Sequence, residues 1–404
     1  MIKKIFNTIY TGTQKTMKIF WDEMRMVFTD AGVVIFFFVV PILYPVLYSW
    51  IYNNETCRDV PTVIVDDSHS GLSREFIRRI DAAPGAKVLS YANNMQEAKN
   101  VMMHQACRGI VHIPASFAQD INSNRQTTVG LYVDMSGFLY YKSLSLALTD
   151  VSLDMGRDIT IKKLGAYTSR DEELSTAAIK TEPVAMFNPT EGYGAYLLPA
   201  VLIMVLQQTL LLGIGLSAGT ARERNKYMTL VPARESYHNP LRIVFGKGLV
   251  YFLIYMILGA YVTMVVPHLF HFLQLASAYH VILILIPYIL ACIFFGMTMS
   301  CIMRHRENVI LFIVFTSVPL LFLTGVVWPS SAIPGYWKTI SYLFPSTFGV
   351  DAFVKLNSLG AELGDVANDF IAMWIQTGAY FLIASFVYHR QIQRSKKLAR
   401  MENE

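Results

Sequence analysis

Residues 219–247 read GTARERNKYMTLVPARESYHNPLRIVFGK. The stretch carries Arg222, Arg224, Lys226, Arg234, Arg242 and Lys247 against Glu223 and Glu235 alone. Before it lies the uncharged run Tyr193–Ala218 and after it the uncharged run Gly248–Pro267. Each run is long enough to cross a hydrocarbon core, so the basic stretch reads as a cytoplasmic loop between two membrane spans. It is longer than a turn needs and has room for a short helix along the membrane face.

The rest of the chain follows from that loop. Of 404 residues, 53% are hydrophobic and 16% charged, against about 25% charged in soluble domains. The net charge of +5 is what span topology deposits on a membrane protein, not a nucleic-acid footprint. Ala31–Tyr52 is a first span, with Pro41 and Pro45 expected to kink or loosen it. Four more spans are read at Gly248–Pro267, Val281–Met303, Asn308–Trp328 and Phe370–Tyr388, making six with Tyr193–Gly219. Nothing resembling a signal cleavage site follows the first span, so a retained anchor is expected. Before it, Met17, Phe20, Trp21, Met24, Val27 and Phe28 recur at helical spacing among five basic residues. Residues 1–30 are therefore expected to form a cytoplasmic interfacial helix, apolar face down.

Residues 53–191 change character: charges return and turn residues appear. Thr62–Val65, Lys87–Tyr91, Gly109–Ile113 and Thr128–Val133 read as strands, Ser70–Ile80 and Met95–Gln105 as helices, and Phe138–Lys180 as mostly helical. This is an inserted α/β domain. With the N-terminus inside, the cytoplasmic pieces hold eighteen Lys and Arg and the two short outer loops two. That asymmetry puts both termini, including the basic tail 389–404, in the cytoplasm and the 53–191 domain outside.

Enzymatic signatures are missing: no HExxH, no GxSxG and no phosphate-binding GxxxxGK[ST]. The four cysteines form no CxxC pair, which removes zinc and iron–sulfur sites, and no metal is expected; His268, His271 and His280 read as ordinary interfacial residues of one loop. Gly246-Lys247-Gly248 reads as a membrane-entry lysine between glycines. Gln207 and Gln208 sit mid-span and either bond to a neighbouring helix or line a substrate path. Gly325, Pro334 and Pro345 break the segment 325–346 at membrane depth, and broken backbone there is packed in protein or faces water. They complete the candidate substrate path. Cys57 and Cys107 precede the first and third strands. If those run parallel, the α-carbons approach the roughly 4.4–6.8 Å that a disulfide requires; the alternative is two unrelated thiols.

These marks occur in a set order: Val63-Ile64-Val65-Asp66-Asp67 with Leu72-Ser73, then Gly109-Ile110-Val111-His112-Ile113-Pro114 and Phe117, then Phe187-Asn188-Pro189 before the second span, then the Gly325 to Pro345 element. In that order the chain resembles the permease subunit of ABC-2 type exporters, in the subgroup with a large extracytoplasmic domain after the first span. The resemblance implies six spans, a dimer with a second permease copy or a homologous one, and a separate cytoplasmic ATPase that carries the ATP and Mg; this chain itself is expected to hold no cofactor. It places ATPase coupling at Arg222, Glu223, Arg224, Lys226 and Arg234. The family's Glu-x-Glu-x-Gly-Thr segment stands here as Arg222-Glu223-Arg224-Asn225-Lys226, without the second Glu and the Gly-Thr. The expected function is export of a hydrophobic or amphipathic substrate, such as a drug, across a bacterial cytoplasmic membrane, with a periplasmic adaptor and an outer-membrane channel as further partners. The rival readings are a mechanotransmitter that moves a periplasmic partner and a sensor whose outer domain binds a ligand.

Overall fold

The computed structural model describes residues 2–53, 56–164, 188, 192–225, 228–232, 237–303 and 305–401, with side chains from Tyr10 onward. The chain forms two compact units, Met1–Asn53 with Met186–Glu404, and Asn54–Ala185.

Among the described residues, the first unit holds helix α1 (Ile2–Thr29) and six helices long and apolar enough to cross a membrane. These spans 1–6 are Ala31–Tyr52, Tyr193–Arg224, Pro240–Leu269, Ala278–Ile302, Arg306–Leu323 and Ala367–Met401. Span 2 is the hub, because its apolar window is 89% buried, against 22% in span 1 and 17% in span 5. A helix that is apolar all round belongs inside a bundle. Spans 2, 3, 5 and 6 reach further toward their charged ends than the uncharged runs do, since α-helix satisfies every backbone group whatever the side chains, and span 5 ends at Leu323 rather than Trp328. The basic segment after Tyr388 continues span 6 as helix to Met401.

The prolines act in two ways. Span 1 is loosened ahead of Pro41 by a π-helical turn, Ile35–Val39, which absorbs the hydrogen bond that proline removes. Span 3 repeats the device, with a π turn at Tyr261–Val265 before Pro267. Phe37, inside the first π turn, is fully buried. Its ring stands edge-on to Tyr251 and Tyr255 at 5.6 and 5.2 Å and fills the space where a Cβ on Gly213 would lie. Pro334 and Pro345 likewise start helices rather than break them, α6 (Gly335–Ser341) and α7 (Pro345–Leu359). Pro345 occupies the first turn of α7, where its missing N–H has no partner to lose, and Gly360 ends that helix at φ 63°.

The second unit is a four-stranded sheet of order β2–β1–β3–β4, from β1 (Val60–Asp66), β2 (Ala86–Tyr91), β3 (Gly109–Ile113) and β4 (Gly130–Val133). β1 pairs parallel with both β2 and β3, and β3 antiparallel with β4. One face packs Val60, Ile64, Val111 and Ile113 against α2 (Gly71–Ala82) and α5 (Phe138–Leu164). The other packs Val63, Val65 and Ile110 against α3 (Met95–Met103). Covered on both faces, β1 reads as an unbroken apolar run rather than an alternation. Ser70 caps α2 in a reciprocal pair with Ser73, whose hydroxyl also donates to Asp66 Oδ2 at 2.7 Å. A short helix that the residue pattern did not reveal, α4 (Phe117–Asn122), follows β3.

The parallel pairing of β1 and β3 is as expected, but the disulfide is not formed. Cys57 and Cys107 are free thiols. Cys57 packs against the cluster on one face of the sheet and Cys107 is buried in the cluster on the other, so the sheet separates them.

Candidate functional site

Chain direction alternates through the bundle, so the starts of spans 1, 3 and 5 and the ends of spans 2, 4 and 6 share one end, here called the basic end. Its buried charges begin on α1. Ile19, Glu23 and Val27 follow one another at i, i+4, i+8 and are all buried, while Met17, Trp21 and Phe28 on another face are exposed. The helix is thus two-faced: one apolar side stays open, as the interfacial reading requires, and the other packs on span 3. Close approach there depends on Gly246, where a Cβ would lie 3.1 Å from Ile19 Cγ2 and 3.2 Å from the Thr16 carbonyl oxygen.

Between those helices sits an ion pair. Lys247 Nζ lies 2.7 Å from Glu23 Oε2, with side chains 7% and 2% exposed. Glu23 Oε1 also accepts from the Ser217 hydroxyl of span 2 at 2.9 Å and from the Tyr251 hydroxyl of span 3. Burial works against the carboxylate's charge. The Lys247 ammonium and the hydrogen bonds from Lys247, Tyr251 and Ser217 outweigh it and hold the Glu23 pKa below its ordinary value. Lys247 is therefore not a membrane-entry lysine: it is a buried partner, and the glycine before it is what lets α1 reach it.

A second pair lies beside the first. Asp30 caps the start of span 1, accepting from the amides of Gly32 at 2.9 Å and Val33 at 3.3 Å. It also accepts from Arg306 at 2.9 and 3.1 Å and from the Thr220 hydroxyl. Burial again opposes the charge, and Thr220, Val33 and Arg306 together pull the pKa down. Arg306 reaches Asp30 by lying over Gly219, where a Cβ would meet its Cγ at 2.5 Å. One acid from α1 and one from the joint after it thus engage spans 2, 3 and 5.

The basic loop is tied to the same elements. Tyr237 is buried and donates to Asp22 of α1 at 3.2 Å. Thr229 is buried against span 6 and donates to Ser395 at 3.4 Å. Arg222, expected to face a partner, is turned inward. It is buried and donates to the Ser300 and Cys301 carbonyls at 2.7 and 3.3 Å and to that of Met303, closing the end of span 4. Glu223 and Arg224 are exposed. Lys226 and Arg234 lie outside the described residues, as do Tyr227, Ala233, Glu235 and Ser236 of the loop in which a short helix was expected.

The other candidates fall apart from this site. Gln207 is buried and bonds between helices, donating to Ser346 of α7 at 3.2 Å and facing the Cys292 thiol of span 4 at 3.6 Å. The side-chain polar atoms of Gln208 are buried without a partner among the described residues. Gaps beside spans 2, 4 and 5, and beside span 2 and α7, hold ≈ 10 Å³ each, about one water apiece. Gly325, at φ 85°, ends span 5. After it the backbone is broken, and its carbonyls are met by span 6: Gln376 donates to Tyr342 at 2.8 Å and Tyr380 to Leu343. Among the described residues, no group of His, Cys, Asp and Glu could hold a metal.

Glu23, Asp30, Lys247 and Arg306 were not singled out by the residue pattern. The available signals were an acid on the Ile19–Val27 stripe of a basic helix and a lysine set directly against an apolar run.

Among the described residues, six apolar helices, a broken seventh element packed among them, and a buried and a partly buried ion pair at one end define a multi-pass membrane protein whose bundle is cross-linked electrostatically at that end. The model of the ABC-2 family transporter proteins matches residues 31–386, and the chain belongs to that family. No curated protein matches the sequence.

Proposed function

We propose that this chain is the permease subunit of an ATP-driven exporter in a bacterial cytoplasmic membrane, that its basic end is cytoplasmic, and that the Glu23–Lys247 and Asp30–Arg306 pairs transmit the movement of a separate ATPase to the spans. Membership of the family supports the transport role. The observation that carries the transmission role is that α1, the basic loop and spans 2, 3 and 5 are joined through buried charges at a single end. A push on the loop reaches α1 through Tyr237 and Asp22, and reaches the spans through Glu23 and Asp30. Glu223, 3.8 Å from Arg306, and Arg224 are exposed charges of the loop that would meet the partner. The substrate is hydrophobic or amphipathic and leaves between two permease copies, past the broken segment 325–346, and the α/β unit is extracytoplasmic. A periplasmic adaptor and an outer-membrane channel complete the export path.

Two measurements test this. Gentle detergent extraction is expected to co-purify an ATP-hydrolysing protein, and a complex without one overturns the reading. Single cysteines at exposed positions are expected to react with an impermeant maleimide from outside the cell at Met135 and from inside at Arg224. The reverse pattern overturns the orientation.

A further inference from the structure

We propose that the α/β unit carries a binding groove for an amphipathic anion, a single apolar chain ending in a carboxylate or a similar acid. The groove is ≈ 750 Å³ and lies between α2, α4, α5 and the segment leading into β4, within the range of about 300–1,000 Å³ that small-molecule sites occupy. It lies wholly inside one unit and stands apart from the export reading.

Its floor is apolar. Phe76 of α2 and Phe117 of α4 sit with ring centroids 5.8 Å apart. Leu148, Met155 and Ile159 join them from one face of α5. The polar lining has one sign of charge: Arg125 and Lys163 are present, and no Asp or Glu lines the groove among the described residues. Lys163 Nζ donates to the Ile121 carbonyl and to Asn124 Oδ1, the latter at 2.8 Å. An ammonium has three donors, so one remains. The Arg125 guanidinium has no partner among the described residues. Thr127 Oγ1, also in the lining, is buried and has no hydrogen-bond partner among the described residues, and buried hydroxyls ordinarily have one.

A second observation concerns shape. Gly156 stands in the interior of α5, where glycine weakens a helix relative to alanine. No turn or close packing calls for it, since a Cβ there would meet nothing within 4 Å. The missing side chain instead widens the groove along the same helix face as Met155 and Ile159. Apolar walls, two cations, an unpaired hydroxyl and a position kept empty at a cost to the helix together describe a site for a chain with an acidic head.

The test uses the full-length protein in nanodiscs. A diazirine-bearing dodecanoate is photoactivated, and labelled peptides are mapped by mass spectrometry, with diazirine-bearing dodecylamine and dodecanol as controls. Beyond labelling of the spans common to all three, only the dodecanoate is expected to label residues 117–129 and 148–163, and free dodecanoate but not dodecylamine is expected to compete. Gly156→Leu should reduce groove labelling about tenfold, ~1.4 kcal/mol in affinity, with an undiminished melting temperature, while Gly156→Ala preserves it. Arg125→Gln with Lys163→Gln should lower dodecanoate labelling to the level of dodecanol, and this holds the test if the leucine variant folds poorly. Equal labelling by the amine, or unchanged labelling in both the leucine and the double glutamine variants, overturns the proposal.

Discussion

The helix bundle contains two acid–lysine clusters, one at each end, and they differ chiefly in burial. At the basic end Lys247 and Glu23 are 7% and 2% exposed. At the far end Lys355 meets Asp351 at 2.7 Å and Asp369 at 3.0 Å; Lys355 and Asp351 are 36% and 47% exposed, while Asp369 is 12% exposed. The residue types and distances are nearly the same. Water screens the Lys355–Asp351 contact, so those two side chains are close to independent. The buried pair has no water to fall back on, and each member is stable only with the other present. A contact that can be lost cheaply is a poor transmitter, whereas one that is costly to separate forces the two helices to move together.

Breaking the buried pair should have the largest effect. Glu23→Ala leaves Lys247 buried and unpaired and is expected to destabilise the unit by about 3–5 kcal/mol, read as loss of the main melting transition in detergent. The double variant Glu23→Leu with Lys247→Met removes both charges and should recover most of that stability. If the single variant melts like the wild type, the contrast between the two ends fails.

At the far end the broken backbone depends on uncharged donors. Gln376→Leu strands the Tyr342 carbonyl and is expected to cost about 1–3 kcal/mol, measured by the same melting assay. Asp351→Asn, in the exposed cluster, should change stability by about 0–1 kcal/mol. A larger loss there would mean that exposure does not separate the clusters.

The comparison can also be sharpened with pH. The pKa of Glu23 is depressed below its ordinary 4.5 in the folded protein. Its contribution is therefore complete above about pH 4.5 and is lost as pH falls below that value through the folded pKa. Asp30, depressed from 3.8, adds to the loss further down. The difference in melting temperature between the wild type and the Glu23→Leu, Lys247→Met variant is expected to narrow as pH falls below 4.5, and a difference independent of pH would contradict the ion-pair account.

Much of this architecture was legible because its signals are local. A span is a continuous run, and β1 and β3 are short apolar runs bounded by turn residues, so their existence and even their parallel pairing could be read from residues alone. The candidate site was not, because its members come from separate segments: Glu23 on α1 meets Lys247 of span 3 and Ser217 of span 2 only once the bundle has packed. The interfacial pattern of α1 was visible through Met17, Trp21 and Phe28, but the same pattern drew attention away from the opposite face where Glu23 sits. The prolines misled for a related reason. Pro345 looks the same in sequence whether it ends one helix or begins another, and only Gly360 at the other end of α7 distinguishes the two.

The π turns of spans 1 and 3 bear on movement. Each holds one residue more than the α-helical turn it replaces. If the turn at Ile35–Val39 were rewound as α-helix, the residues beyond it would rotate by about 100° and advance by about 1.5 Å, and the Phe37 carbonyl would face the nitrogen of Pro41, which has no N–H to donate. Span 1 therefore contains a ratchet tooth, and Phe37 in the hollow at Gly213 is the pawl that holds its register.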